Sequence, residues 1–257
     1  MSGNGQDWYL VNASPDLRQQ INETPELHPH SALRSTPIAG VVLTGGDVDA
    51  IAGLLTLRER EPFCVYASRR ILDILAANPI FEVLARDVVE RRQVALGETV
   101  ELAGGLSVEL FAVPGKVPLY LEEGSDMQPL VADETTVGAV FSDGHARAFY
   151  IPGCAAFTAD LATRLTGGDA LFFDGTLWCD DEMIQAGVGS KTGQRMGHMS
   201  LSGPTGTIAA LAPYPVGQRY LLHINNSNPV LLADTPERAE VEAAGWIVCH
   251  DGLRITL

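Results

Sequence analysis

Two histidines and three aspartates are the residues of this chain whose types and surroundings could do chemistry. Asp47 and Asp49 close the stretch L-T-G-G-D-V-D, directly after the apolar run I-A-G-V-V. His198 lies in R-M-G-H-M-S-L-S-G, and His223 ends the apolar run of R-Y-L-L-H-I. Asp174 follows A-L-F-F, and an acid placed there must be paired, hydrated or bound to a cation. If the fold brings them together, the set is Asp49, His198 and His223 with Asp47 and Asp174 nearby. Two imidazoles and one carboxylate with open positions suit non-haem Fe(II). Nitrogen–oxygen sites also suit zinc.

Each of these residues has an ordinary structural use as well. Aspartate is a preferred N-cap, so Asp49 alone would equally cap a helix beginning near residue 50. Two carboxylates two apart, after a glycine pair, exceed what a cap needs. A lone histidine is more often a satisfied structural group than a ligand. His223 stands above that level because Asn225, Asn226 and Asn228 crowd after it, although asparagines also form turns.

Other motifs fail. G-V-G-S-K-T-G has Ser190 where a phosphate loop needs glycine, and no strand feeds it. There is no G-x-S-x-G nucleophile elbow. His28, His30, His145 and His250 fall in loops or at a strand end and receive no role. D-D-E at 180–182 reads as a solvated acidic turn. Of 17 basic residues only Lys116, in V-P-G-K-V-P, and Lys191, in G-S-K-T-G, are lysines. An arginine-favouring composition and a role in holding an anion explain this equally well.

The elements that must position these residues follow from periodicity and punctuation. Strands are expected at about 8–13, 38–43, 63–67, 92–96, 106–113, 136–142, 147–151, 170–175 and 219–224. Helices are expected from Asp49 to about Arg60, over S-R-R-I-L-D-I-L-A-A-N-P, near 80–87, over T-A-D-L-A-T-R-L, within L-S-G-P-T-G-T-I-A-A-L-A and over T-P-E-R-A-E-V-E-A-A-G. I-V-C-H and L-R-I-T-L are expected to end the chain as a hairpin. Strands come in runs with single helices between them, which suits an α/β architecture of two mixed sheets packed face to face with helices outside. Thr44 to Asp49, Asp174 and His223 all sit where apolar strands run out, and strand ends are where layered folds assemble sites.

At 257 residues the chain suits a single domain over 1–257 with a sizeable core, 46% of it being apolar. A net charge of -15 opposes binding to nucleic acid or anionic membranes. No apolar run approaches the roughly 20 residues of a membrane span, and M-S-G-N-G-Q-D lacks the pattern of a signal peptide. Cys64, Cys154, Cys179 and Cys249 form no C-x-x-C pair, which argues for a reducing, cytoplasmic setting.

V-N-A-S-P-D-L-R-Q-Q-I, L-T-G-G-D-V-D, L-L-T-L-R-E, V-P-G-K-V-P, Y-I-P-G-C, D-G-T-L-W, A-G-V-G-S-K-T-G, M-G-H-M and H-I-N-N-S-N-P-V-L, in that order, resemble the coenzyme PQQ synthesis protein B family along the whole chain. The resemblance implies a metallo-β-lactamase fold, a four-layer αββα sandwich. It also implies a part in making pyrroloquinoline quinone (PQQ) from a glutamate–tyrosine unit of a precursor peptide. Two activities attach to such a protein. One is Fe(II)- and O2-dependent hydroxylation of the tyrosine ring in the cross-linked precursor. The other is metal-free carriage of PQQ or its precursor toward the periplasm. Metal-dependent hydrolysis is a weaker third reading.

In the register of the hydrolytic members, H-x-H-x-D-H becomes Gly45, Gly46, Asp47, Val48, Asp49 and Ala50, which argues against a dinuclear zinc hydrolase. Ala50 stands where family members carry a histidine. Asp49, His198 and His223 are then left as the expected ligands of Fe(II), or of Zn(II) in vitro, with weakened or absent binding. Asp47 and Asp174 are expected as further ligands or as groups orienting the histidines. Lys116, Lys191 and Arg195 are expected to pair with the carboxylates of the substrate, beside Asn225 and Asn226. Other PQQ-biosynthesis proteins and a second copy of the chain are the expected macromolecular partners. Members begin with a further strand and a Cys-x-Cys-x-x-Cys cluster, so the fold is expected here without its first strand, one sheet edge being left open.

Overall fold

The computed structural model describes residues 1–30, 35–121 and 131–257. They form two compact units, one mainly from Met1–Phe111 and the other mainly from His145–Leu257 together with Ala112–Val117.

The first unit holds a four-stranded sheet in the order β1 (Trp8–Val11), β2 (Ile38–Val42), β3 (Phe63–Ala67), β4 (Val89–Gln93), and each of its pairings is parallel. Every residue of β3 is buried, as in a parallel strand covered on both faces. β4, V-E-R-R-Q, exposes Glu90 and Arg92 and takes an edge. Between β1 and β2 lies α1 (Leu17–Glu23), and after β2 comes α2 (Val48–Ile51). After β3 the helix α3 (Arg69–Ala77) forms as its sequence requires. The Ser68 hydroxyl accepts from the Ile71 N–H, Ile71, Ile74 and Leu75 are buried, and Asn78-Pro79 stops it.

The helix expected from Asp49 to Arg60 is a single α-turn, α2, followed by a 3-10 helix over Ala52–Leu57. Gly53 explains the break. Its N–H donates to the Ala13 carbonyl at 2.8 Å, and a Cβ there would lie 2.1 Å from the Ser14 carbonyl oxygen. The α1-side backbone therefore takes the hydrogen bond that an α-helix would use. Asp47, not Asp49, occupies the N-cap position. The helix near 80–87 is a 3-10 turn, Pro79–Val83. The strand expected at 92–96 is β4, three residues earlier.

A seven-stranded sheet has the order β11-β10-β9-β8-β7-β6-β5. Its strands are β5 (Thr99–Glu101), β6 (Ser107–Gly115), β7 (Val131–Ser142), β8 (Arg147–Ile151), β9 (Ala170–Asp174), β10 (Gln218–Leu222) and β11 (Trp246–Val248). β5 and β6 are antiparallel, whereas β8, β9, β10 and β11 run parallel. The helices are α4 (Ala159–Leu165), α5 (Glu182–Gln185), α6 (Gly193–Met196), α7 (Thr207–Leu211) and α8 (Pro236–Ala243).

The C-terminal hairpin is absent. α8 delivers β11 to β10 as a parallel neighbour, and the residues after 252 join no strand. Leu253 and Ile255 instead pack on the buried cluster of Ala148, Ala170 and Tyr220, so their apolar character covers the sheet face.

Register decides where the second unit carries chemistry. Ile151 of β8 pairs with Phe173 of β9, and Leu222 of β10 pairs with Asp174. Three parallel strands therefore end at one level, and the segments Pro152–Cys154, Gly175–Thr176 and His223–Asn228 leave the sheet side by side. That is the carboxyl edge at which α/β folds place sites. Among the described residues no helix is long and apolar enough to cross a membrane, and Cys64, Cys154, Cys179 and Cys249 are free.

Candidate metal centre

Asp174 is fully buried at the end of β9 and is surrounded by donors. Its Oδ2 accepts the Cys154 N–H at 2.9 Å and His198 Nδ1 at 2.7 Å. Its Oδ1 accepts the Thr176 N–H at 3.1 Å and the Thr176 hydroxyl at 2.6 Å. A carboxylate offers about four acceptor positions, so all are occupied. Burial raises the carboxyl pKa, but His198, His223 and the Thr176 hydroxyl together outweigh it and hold it below the usual carboxylate value.

The protons can then be followed outward. An ionised Asp174 only accepts, so His198 Nδ1 carries a hydrogen and Thr176 donates its single hydroxyl proton to Oδ1. Thr176 Oγ1 lies 2.9 Å from His223 Nδ1, and with its proton committed it accepts from that nitrogen. Both imidazoles are thus the Nδ1–H tautomer, which puts the ring lone pair on Nε2. The rings stack with centroids 5.2 Å apart and planes at 23°. Among the described residues, Asp174, His198 and His223 are the His, Cys or carboxylate side chains with ligand atoms grouped closely enough for a metal, within 4.8 Å. With its acceptors filled, Asp174 is placed to orient the histidines, and the candidate ligand atoms are the two Nε2 atoms.

Short-range sequence builds each arm. Thr192 caps α6 by accepting from the Arg195 N–H, and Gly197 ends it in the left-handed conformation at φ 91°. Gly193 takes the His198 N–H on its carbonyl at 2.9 Å, which fixes the histidine directly after the helix. Gly153 lies against the His198 ring, a Cβ there coming 3.5 Å from Cε1. His223 has φ 55°, a conformation few non-glycine residues adopt. It turns the chain at the end of β10 and leaves the side chain exposed.

Gly175 sits between the two arms. Its N–H donates to the Leu222 carbonyl at 2.8 Å, and a Cβ would lie 3.0 Å from that same oxygen and 3.2 Å from the Leu221 Cβ. Gly175→Ala is expected to push β9 and β10 apart at the site, costing about 1–3 kcal/mol of stability. A thermal melt showing no loss would contradict this packing.

The comparisons with known proteins bear on family and fold. Residues 7–224 match the model of a beta-lactamase superfamily domain. Coenzyme PQQ synthesis protein B of Gluconacetobacter diazotrophicus is 58% identical over 262 residues, which cover 100% of this chain and 85% of that protein. Its namesake in Methylobacterium nodulans is 57% identical over 257 residues, 100% of this chain and 86% of that one. The chain belongs to the coenzyme PQQ synthesis protein B family. The crystal structure of Zn(2+)-bound PqqB from Methylobacterium extorquens matches with a TM-score of 0.97 at 56% identity, over 100% of this chain and 86% of that one. A diphosphatase of the PhnP family, at 20% identity and a TM-score of 0.65 over 96% of this chain and 78% of that one, shares the fold. The expected metallo-β-lactamase fold is borne out.

In this member of the PQQ synthesis protein B family the remaining expected residues are placed as follows. Asp47 and Asp49 belong to the first unit, Asp49 exposed in the first turn of α2. Their loop is anchored by Thr44, whose N–H and hydroxyl both bond the Asn12 side chain, and by the Tyr120 hydroxyl, which donates to the Gly46 carbonyl at 2.6 Å. Ala50 is buried. In the second unit, the Lys116 stem lies over Gly197, a Cβ there coming 2.9 Å from its Cγ, next in sequence to His198. Lys191 precedes the α6 cap and Arg195 lies within α6, both half-buried. Asn225 donates its N–H to the Thr176 carbonyl at 3.1 Å, while Asn226 is exposed.

Three functional groups escape sequence reasoning. Thr176 lies just past the expected strand and reads as an ordinary turn residue, and Cys154 contributes a backbone N–H rather than its thiol. Glu182 corrects the solvated reading of D-D-E. Asp180 and Asp181 are exposed, but Glu182 is buried and accepts from the Trp178 N–H at 2.6 Å and the Ser227 hydroxyl at 2.5 Å.

Proposed function

We propose that this family member is a metal-dependent oxygenase of PQQ biosynthesis, using Fe(II) and O2 to hydroxylate the tyrosine-derived ring of the cross-linked Glu–Tyr precursor. The observation that carries this reading is the grouping of two imidazoles, His198 and His223, around Asp174 and Thr176, which hold their Nδ1 atoms. Such donors fit a divalent ion of the iron–zinc class, and the zinc of the Methylobacterium extorquens relative supports a divalent site here. The chemistry that a ferrous ion supplies when bound is activation of O2 toward the ring.

The chain's own residues bind and orient. His198 and His223 hold the ion, and Asp174 and Thr176 keep their Nδ1 atoms protonated. Lys116, Lys191 and Arg195 meet the carboxylates of the precursor, and Asn225 and Asn226 offer amides to its ring oxygens. Since the protein carries a net charge of -15, a polyanionic substrate needs such a local cationic set. Lys191→Ala is expected to raise KM about tenfold with kcat largely kept, as loss of one charged hydrogen bond does when it serves binding alone. Steady-state kinetics showing a kcat loss at constant KM would contradict that role.

Ala50 favours a second reading, a metal-free carrier of PQQ or its precursor, because an alanine supplies no ligand. The deciding experiment loads the protein with Fe(II) anaerobically, adds cross-linked precursor and a two-electron reductant such as ascorbate, which takes the second oxygen atom to water, and then admits O2. Consumption of O2 with a product one oxygen atom heavier is expected. Tight binding of PQQ or precursor by metal-free protein, without O2 uptake or altered mass, would replace the oxygenase with the carrier.

A further inference from the structure

Glu182 opens α5 as a buried carboxylate whose partners among the described residues are an amide and a hydroxyl, with no cation. Burying a carboxylate is costly, and the two short bonds that it accepts are of the strong, charge-assisted kind. One of them reaches 45 residues along the chain to Ser227. The Ser227 hydroxyl, having given its proton to Glu182, accepts from Asn225 Nδ2 at 2.8 Å. Asn225 in turn gives its backbone N–H to the Thr176 carbonyl and takes the Asn228 N–H on its own. Buried Asn228 donates to the Gly175 carbonyl at 2.9 Å and accepts from the Val230 N–H at 3.1 Å.

The loop after His223 is therefore tied to the Gly175–Trp178 segment at several points, and Glu182 terminates the side-chain relay. Two residues upstream, His223 holds its left-handed backbone on an exposed turn, with Thr176 as its ring partner. Such a conformation persists only where surrounding structure over-determines it.

We propose that Glu182 is a positioning residue for His223, acting through Ser227 and Asn225 to fix the loop that aims the imidazole. The proposal rests on the metal-site reading above. Its failure can nevertheless be told apart from failure of that reading, because the His223 ring can be observed in metal-free protein.

The experiment compares Glu182→Gln, Ser227→Ala and Ser227→Thr with the unaltered chain. Zn(II) competition titrations, thermal melts and imidazole NMR in both metal-free and zinc-loaded protein are the readouts. Ser227→Ala cuts the relay without touching the bond from Trp178 to Glu182. It is expected to weaken Zn(II) about tenfold, the lower end of the effect of groups that orient ligands. It should also shift and broaden the His223 ring signals while leaving those of His198 in place, and Ser227→Thr should restore both. If Glu182 serves only to pin the turn at Trp178, Glu182→Gln will lower the melting temperature while Ser227→Ala leaves affinity and the His223 signals unchanged. That result overturns the proposal. If no variant and no unaltered protein binds Zn(II), the metal reading fails. Unmoved His223 signals in metal-free Ser227→Ala then overturn the relay as well, and moved ones sustain it.

Discussion

Asp174→Asn is expected to bind Zn(II) or Fe(II) about 10- to 100-fold more weakly than the unaltered chain, the range seen when a group orienting a ligand histidine is lost. The substitution keeps shape and volume, so the effect isolates hydrogen-bond chemistry. Every acceptor position of Asp174 faces a donor: Cys154 N–H and His198 Nδ1 on one oxygen, the Thr176 N–H and hydroxyl on the other. An amide must turn its NH2 toward one of these pairs. Facing His198, it drives the ring to the Nε2–H tautomer and closes the lone pair proposed to bind metal. Facing Thr176, it orphans a buried amide and turns the hydroxyl toward His223, which then loses its own Nδ1 proton. An unsatisfied buried donor costs about 1–3 kcal/mol. For a chain of this size that lowers the melting temperature by about 2–4 °C per kcal/mol. A competition titration and a melt on the same sample check both effects, and unchanged affinity would mean that Asp174 does not set the tautomers.

The two histidines themselves give the largest effect on binding. A full set of four ligands provides on the order of 10–16 kcal/mol for zinc, so losing one should weaken binding by about 100-fold or more. His198→Ala and His223→Asn are the informative substitutions. Asparagine tolerates the left-handed backbone that His223 adopts, so the second variant removes an imidazole without straining the turn. His223 is exposed, and its loss should leave the melting temperature nearly unchanged. His198 is half-buried against Gly153, and its loss should lower it modestly. Retained stoichiometric Fe(II) binding in both variants would remove these residues from the site.

How much of this was legible before the fold was known depends on what each residue contributes. Asp174 and His223 stand out because a polar residue that directly ends an apolar strand has few structural uses. β9 and β10 do end there, one rung apart. Thr176 does not stand out, because a threonine just past a strand is common in turns and its role is to donate to Asp174 while accepting from His223. Cys154 acts through its main chain, which side-chain identity never signals. Glu182 was masked by Asp180 and Asp181, since an acidic triplet reads as solvated until one member is found buried.

The fold shows the same division. α3 and α4 were readable because their serine and threonine caps and their buried positions agree. The α2 region misled because Ile51, Leu54 and Leu55 suit a 3-10 path as well as an α-helix, and the close approach of Ala13 and Ser14 to Gly53 is a tertiary fact. At the C-terminus, two apolar runs around Asp251-Gly252 looked like a hairpin, but the sheet accepted only the first, in parallel, and used the second as cover.

The claim at the centre of this account is that one divalent ion binds at the Nε2 atoms of two imidazoles whose Nδ1 atoms are protonated and held by Asp174 and Thr176. Long-range proton–nitrogen NMR of the imidazoles, recorded anaerobically at neutral pH before and after one equivalent of Zn(II), tests it most directly. The account predicts that His198 and His223 are both Nδ1–H in the metal-free protein, and that zinc shifts their Nε2 signals together while the Nδ1 protons persist. Zinc binding that leaves both Nε2 signals unmoved, or a metal-free protein in which either ring is Nε2–H, would contradict it.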